Sequence, residues 1–147
     1  MISYKAITIS LIAFFSLTFS VSINSQLSDQ YYNECIPDIE TGFVHNSQPM
    51  KALLTGAEVA EFRTTLYDGN IYRFVTCTPG NNKIWFTVYD TNNKLLFSSK
   101  KHNNSSTWDF KMEGNIECII EAGLMPDTGD SGLAMLLIGF KKAGDTN

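Results

Sequence analysis

The residues able to do chemistry in this chain are few and scattered. Trp85 and Tyr89 sit in Ile84-Trp85-Phe86-Thr87-Val88-Tyr89, where Ile84, Phe86 and Val88 take the other parity. Side chains alternate across a strand, so the two large rings project opposite the apolar row. An exposed aromatic strip of that kind can stack sugar rings, and it implies a carbohydrate or another envelope protein as partner. The competing account, which the sequence favours, is that residues 26–56 cover that side and bury it. Paired carboxylates are a second chemistry. Glu117 and Glu121 share one side of a strand. Four residues of strand span about 13 Å, beyond the roughly 5–10 Å that glycoside hydrolysis uses. They read as a solvated face.

Asp127-Thr128-Gly129-Asp130-Ser131-Gly132 invites two further readings. An EF-hand loop has Gly at its sixth position, as here. It also needs Asp or Asn at the third and Glu at the twelfth, where this chain has Gly129 and Ile138. A different oxygen-rich metal site on Asp127 and Asp130 is the remaining form of that idea. Gly129-Asp130-Ser131-Gly132 also spells the tetrapeptide around a serine-protease nucleophile. That chemistry needs a histidine base and a carboxylate to orient it. His45 and His102 both lie in polar, loop-like contexts without those surroundings. The tetrapeptide reads as a turn before the last strand. No catalytic residue and no cofactor is assigned.

Three cysteines are present, an odd number. Cys118 lies between Ile116 and Ile120 and reads as a small buried hydrophobe. Cys35 stands near Pro37, and Cys77 precedes Thr78-Pro79-Gly80. The expected disulfide is Cys35–Cys77, tying the N-terminal segment to the domain. A catalytic thiol would want a histidine partner and a lowered pKa. Three Cys and two His exclude a four-cysteine zinc site. Asn103 and Asn104 both head glycosylation acceptor patterns, which matter only in a host that uses them.

The elements that must position these residues begin after a segment of different material. Lys5 is the only charge before Asp29, and residues 6–23 are apolar or hydroxyl-bearing, with nothing else. This is the pattern of a secretory signal peptide, expected over residues 1–25. Cleavage after Ser22 or after Ser25 fits, the second leaving Gln26 first. An uncleaved anchor is the competing reading. Export to the periplasm or medium is the expectation, with no transmembrane span after cleavage. The whole chain has 147 residues, a net charge of -4 and 44% hydrophobic residues. That is one ordinary domain. An acidic balance argues against nucleic acid as partner.

Residues 26–56 are expected to be an extension that packs on the domain: a short helix capped by Ser28 and stopped by Pro37, then irregular chain to residue 52. From residue 57 to 142 short strands recur, each followed by a turn signal, and residues 143–147 form a tail. Ala60, Phe62, Thr64 and Leu66 share one side, as do Tyr72 and Phe74, and Trp108, Phe110 and Met112. Asp90-Thr91-Asn92-Asn93-Lys94 is a hairpin connection in which Asn can take the left-handed conformation. The last strand is apolar on both parities, Leu133, Met135 and Leu137 against Ala134, Leu136 and Ile138, so it should be central or covered on both faces. With about seven to eight strands and no helical segment between them, parallel βαβ units are excluded. The fold class is all-β, an antiparallel sandwich or jelly roll.

Phe62, Leu66, Gly69, Tyr72 and Phe74 run into Phe86, Val88 and Asp90, then Leu95 and Phe97, Trp108-Asp109-Phe110, Ile119-Ile120-Glu121, and Gly132 before Leu137-Ile138-Gly139-Phe140. This order, over roughly residues 55–142, resembles small secreted bacterial β-sandwich proteins of uncharacterised function. It is similar, more distantly, to the bacterial pre-peptidase C-terminal domain. The resemblance implies a jelly-roll-like sandwich outside the cytoplasm and no catalytic residues, because such domains are accessories. The expected function is a non-catalytic binding or structural module at the cell envelope. The alternative is a small secreted hydrolase, of glycan or peptide, on the same sandwich.

Overall fold

The computed structural model describes residues 32–33, 35–39, 42–45, 48–79, 83–127 and 129–144. The expected signal peptide, its cleavage points, Ser28 and the last residues 145–147 lie outside the described residues. Nine strands are present among the described residues: β1 (Val44–His45), β2 (Met50–Thr55), β3 (Val59–Leu66), β4 (Asn70–Cys77), β5 (Ile84–Asp90), β6 (Leu95–Ser98), β7 (Thr107–Lys111), β8 (Ile116–Leu124) and β9 (Ser131–Lys142). All pairings are antiparallel. They build two sheets, as expected for a sandwich. One runs β1–β9–β4–β7 with β2 also on β9, and the other runs β3–β8–β5–β6. We call them the β9 sheet and the β8 sheet.

The core lies between the sheets. Phe74 of β4 and Phe86 of β5 are fully buried, with ring centroids 6.4 Å apart. Leu66, Val88, Cys118, Ile120 and Leu136 are buried around them. Each such apolar side chain contributes about 1.5–3 kcal/mol when removed from water. Tyr72 faces inward too, and its hydroxyl accepts the Tyr67 amide at 3.1 Å, which satisfies its polar tip. Cys118 is fully buried, as its apolar neighbours imply, and burial pushes its thiol pKa up, with Asp90 adding to the effect.

The stretch expected to be irregular is partly ordered. Met50–Thr55 pairs with Leu136–Ser131 as β2, with Met50, Ala52 and Leu54 inward and Lys51, Leu53 and Thr55 outward. Its period-2 pattern is short and begins directly after Pro49, which masks it. Pro37 opens a 3-10 turn, Ile36–Asp38. The last strand, β9, is indeed central, between β1 and β2 on one side and β4 on the other.

Residues 35–39 and 42–43 lie on the outer face of the β9 sheet, and we call them the strap. The Cys35–Cys77 disulfide, with Cα atoms 6.1 Å apart, pins one end to β4. Ile39 is fully buried in a cluster with Val75, Met135 and Leu137. The strap approaches β9 at Gly139, where a Cβ would come 2.9 Å from Ile39 and 3.1 Å from Phe43. Arg73 ties the arrangement together. Its guanidinium donates to both Asp109 oxygens at 2.8 and 2.9 Å and to the Asp38 carbonyl at 3.4 Å. The same group lies 4.3 Å from the Phe43 ring centroid, and Lys141 lies 4.7 Å from it.

Candidate functional site

The outer face of the β8 sheet carries Trp85, Thr87 and Tyr89 on β5, Gly123, Glu121 and Ile119 on β8, and Val59, Glu61 and Arg63 on β3. The described residues of the extension do not cover this face. They cover the β9 sheet instead, so the account in which residues 26–56 bury Trp85 is corrected for the described residues. The reason is covalent and steric. Cys77 and Gly139, the points that receive the strap, both belong to the β9 sheet.

Trp85 and Tyr89 are each half-buried. The register sets Trp85 opposite Gly123, and Gly123 opposite Val59. A Cβ on Gly123 would lie 2.5 Å from the indole, so the ring rests directly on the backbone. The Lys100 ammonium lies 3.7 Å from the ring centroid. Its place is fixed by the neighbouring residue. Ser99 is fully buried, and its hydroxyl accepts the Phe86 amide at 2.9 Å, docking the 3-10 turn Ser99–Lys101 against β5. Thr87 faces Glu121 on one side and Ser98 on the other. Thr87 is 7% exposed, and its Oγ1 has no hydrogen-bond partner among the described residues. Buried hydroxyls are ordinarily paired. Across the sheet, Glu61 and Glu121 are directly opposed, and Arg63 pairs with Glu61 at 2.8 Å.

The remaining expected residues are distributed elsewhere. Asp127 and Asp130 are exposed in the loop before β9, and no group of three or more metal-ligating side chains occurs among the described residues. The Asp130 carbonyl accepts the Gly56 amide at 2.8 Å. Ser131 opens β9 opposite Thr55, while His45 pairs with Gly139, eight residues along the same strand. That separation is about 26 Å, so these two cannot act as nucleophile and base. The Tyr32 hydroxyl and His45 Nδ1 lie 3.3 Å apart in hydrogen-bonding geometry. His102 stacks on Phe97, with centroids 5.1 Å apart, and packs on Trp108 at 4.4 Å. It is an exposed lid over the core edge. Glu117 is exposed and Glu121 half-buried on the same outer side. The Asp90 carboxylate accepts the Asn92 and Lys94 amides at 2.9 Å, and Asn93 has φ +61°, so the hairpin role holds.

Three residues of the site escaped the sequence reading. Lys100 sat in a polar run, Thr87 looked like an ordinary strand residue, and Gly123 was an unremarked strand glycine. The one signal available was the glycine, since a strand glycine marks close approach of another group.

Together, the fold and this face define an antiparallel β-sandwich with one outer surface covered by the N-terminal segment and one that the described residues of that segment do not cover. No protein-family model matches the chain, and no curated protein matches it. Among solved structures it is similar to PliG, a periplasmic lysozyme inhibitor of g-type lysozyme from Aeromonas hydrophila. The two are 12% identical with a TM-score of 0.50, over 64% of this chain and 85% of that one. The likeness is one of fold.

Proposed function

We propose that this protein is an exported, non-catalytic binding module of the cell envelope, secreted or periplasmic, whose partner is another envelope protein. One observation carries the reading: the described residues of the N-terminal segment cover one outer face and not the other, which carries rings and charges. The disulfide supports an oxidising compartment. The fold likeness to an inhibitor protein supports a protein partner and names the first one to test. Alternating Glu61, Arg63 and Glu121 supply the charge pattern that selects a partner and speeds encounter.

The test is inhibition of a g-type lysozyme. Purified mature protein is expected to slow lysis of bacterial cells by that enzyme, with a stoichiometric complex on size-exclusion chromatography. Arg63→Glu, which reverses the one cation of that charged row, is expected to weaken the complex without changing the fold. Absence of both complex and inhibition refutes a lysozyme as partner. Unchanged affinity in Arg63→Glu refutes this face as the contact.

A further inference from the structure

The charged row lies toward β3, and the Trp85 end of the same face has different chemistry. Lys83 precedes β5 by one residue, Lys100 stands over Trp85, and Lys101 follows it, in a chain whose net charge is -4. The indole rests against Gly123 and cannot sink further, because backbone lies beneath it. On the ring lies the end of a flexible lysine, the Lys100 ammonium, 3.7 Å from its centroid. Two residues along the strand, on the same side, Thr87 holds a buried hydroxyl with no partner among the described residues. A valine would fill that space without an unmade hydrogen bond, so the hydroxyl costs the folded state and gives it nothing visible in return. Glu121 stands directly across from it as an acceptor.

We propose that Trp85, Thr87 and Lys100 form a subsite for a saccharide that carries a carboxylate. The apolar face of the sugar ring takes the place of the ammonium on the indole. The displaced Lys100 then pairs with the carboxylate, exchanging a cation–π contact for a charge-assisted hydrogen bond. In the bound state the Thr87 Oγ1 receives a sugar hydroxyl, with Glu121, directly across the sheet, accepting a second. Tyr89 extends the row about 13 Å beyond Trp85, the reach of an oligosaccharide rather than a single sugar. This site goes beyond the protein-partner reading and stands without it, since it needs no second protein.

The experiment is calorimetric titration of the purified mature chain with tetragalacturonate and, in parallel, with uncharged cellotetraose. Binding of the acidic sugar alone is expected, weakening as salt is raised. Lys100→Met keeps the stem on the ring and removes the charge, and it is expected to weaken binding by about tenfold or more. Thr87→Val is expected to weaken binding several-fold while its thermal midpoint stays level or rises, which a purely structural hydroxyl would not do. The proposal is overturned if the folded protein binds neither sugar, if it binds both equally, or if either variant keeps full affinity. Lysozyme inhibition is scored on the same preparation, so failure of the saccharide site and failure of the protein-partner reading are separate results.

Discussion

The two outer faces of this sandwich are built from similar strands and treated in opposite ways. On the β9 sheet, Val75, Met135 and Leu137 form an apolar surface, and the chain covers it with a disulfide-pinned strap. On the β8 sheet, Trp85, Tyr89 and Ile119 share the outer side with Glu61, Arg63 and Glu121, and single side chains provide the only cover seen among the described residues. Each face has one glycine that lets a large side chain press on the backbone: Gly139 under Ile39 and Phe43, Gly123 under Trp85. The contrast is between an apolar surface sealed by the chain and a ring that rests on the backbone under a single lysine.

Removing the pin tests this contrast most strongly. Replacing both Cys35 and Cys77 by Ala opens a loop with a sequence separation of 42. A cost of about 3–4 kcal/mol is expected by urea unfolding, with increased binding of a hydrophobic dye. A cost below about 1 kcal/mol would mean that packing alone holds the strap, and the distinction between the faces would weaken.

The two glycines come next. Gly139→Ala drives a methyl group into Ile39 and Phe43, which the tethered strap cannot yield to, and about 1–3 kcal/mol is expected. Gly123→Ala meets an indole free to swing toward solvent, so a loss under about 1 kcal/mol is expected, with a red-shifted Trp emission. Equal costs would show that the uncovered face is as rigid as the covered one. Asp109→Asn leaves Arg73 with a weaker partner. With Arg73 and Asp109 22% and 40% exposed, about 0.5–1 kcal/mol is expected.

The smallest effect concerns the turn between the two sheets. The Glu58 carboxylate accepts the Thr55 hydroxyl at 2.6 Å and the Thr55 amide at 2.7 Å. These bonds, the hydroxyl first, lower its pKa in the folded state. The stabilisation is therefore full above the ordinary carboxylate range and is lost as pH falls through the lowered folded value. Glu58→Gln should match the wild type in acid and unfold slightly more easily near neutrality. A difference that grows toward low pH would reverse that assignment.

The sequence made the inward side of most strands legible because apolar residues alternate cleanly, as in Ile84-x-Phe86-x-Val88 and Tyr72-x-Phe74. The disulfide was legible for a different reason: Cys118 was visibly a core residue, which left only one pair. Two things were not. Strand β2 offers only three inward residues after a proline. The side on which the N-terminal segment lies depends on which sheet Cys77 joins, and pairing between distant strands leaves no local trace. Lys100 over Trp85 was hidden for the same reason, since β5 and the turn after β6 meet only once the hairpin closes.

The placement of the three thiols also dictates an order of events in oxidative folding. In the unfolded chain any two of them can join, and two of the possible bonds would trap Cys118. In the folded sandwich Cys118 is sealed between the sheets, while Cys35 and Cys77 meet on an outer surface. A chain that collapses before it is oxidised is thus protected from the wrong bond by its own core. One oxidised first into either wrong pair must reshuffle, over minutes to hours without an isomerase. Refolding yield is therefore expected to rise when oxidant is added late, after the sandwich has closed over Cys118.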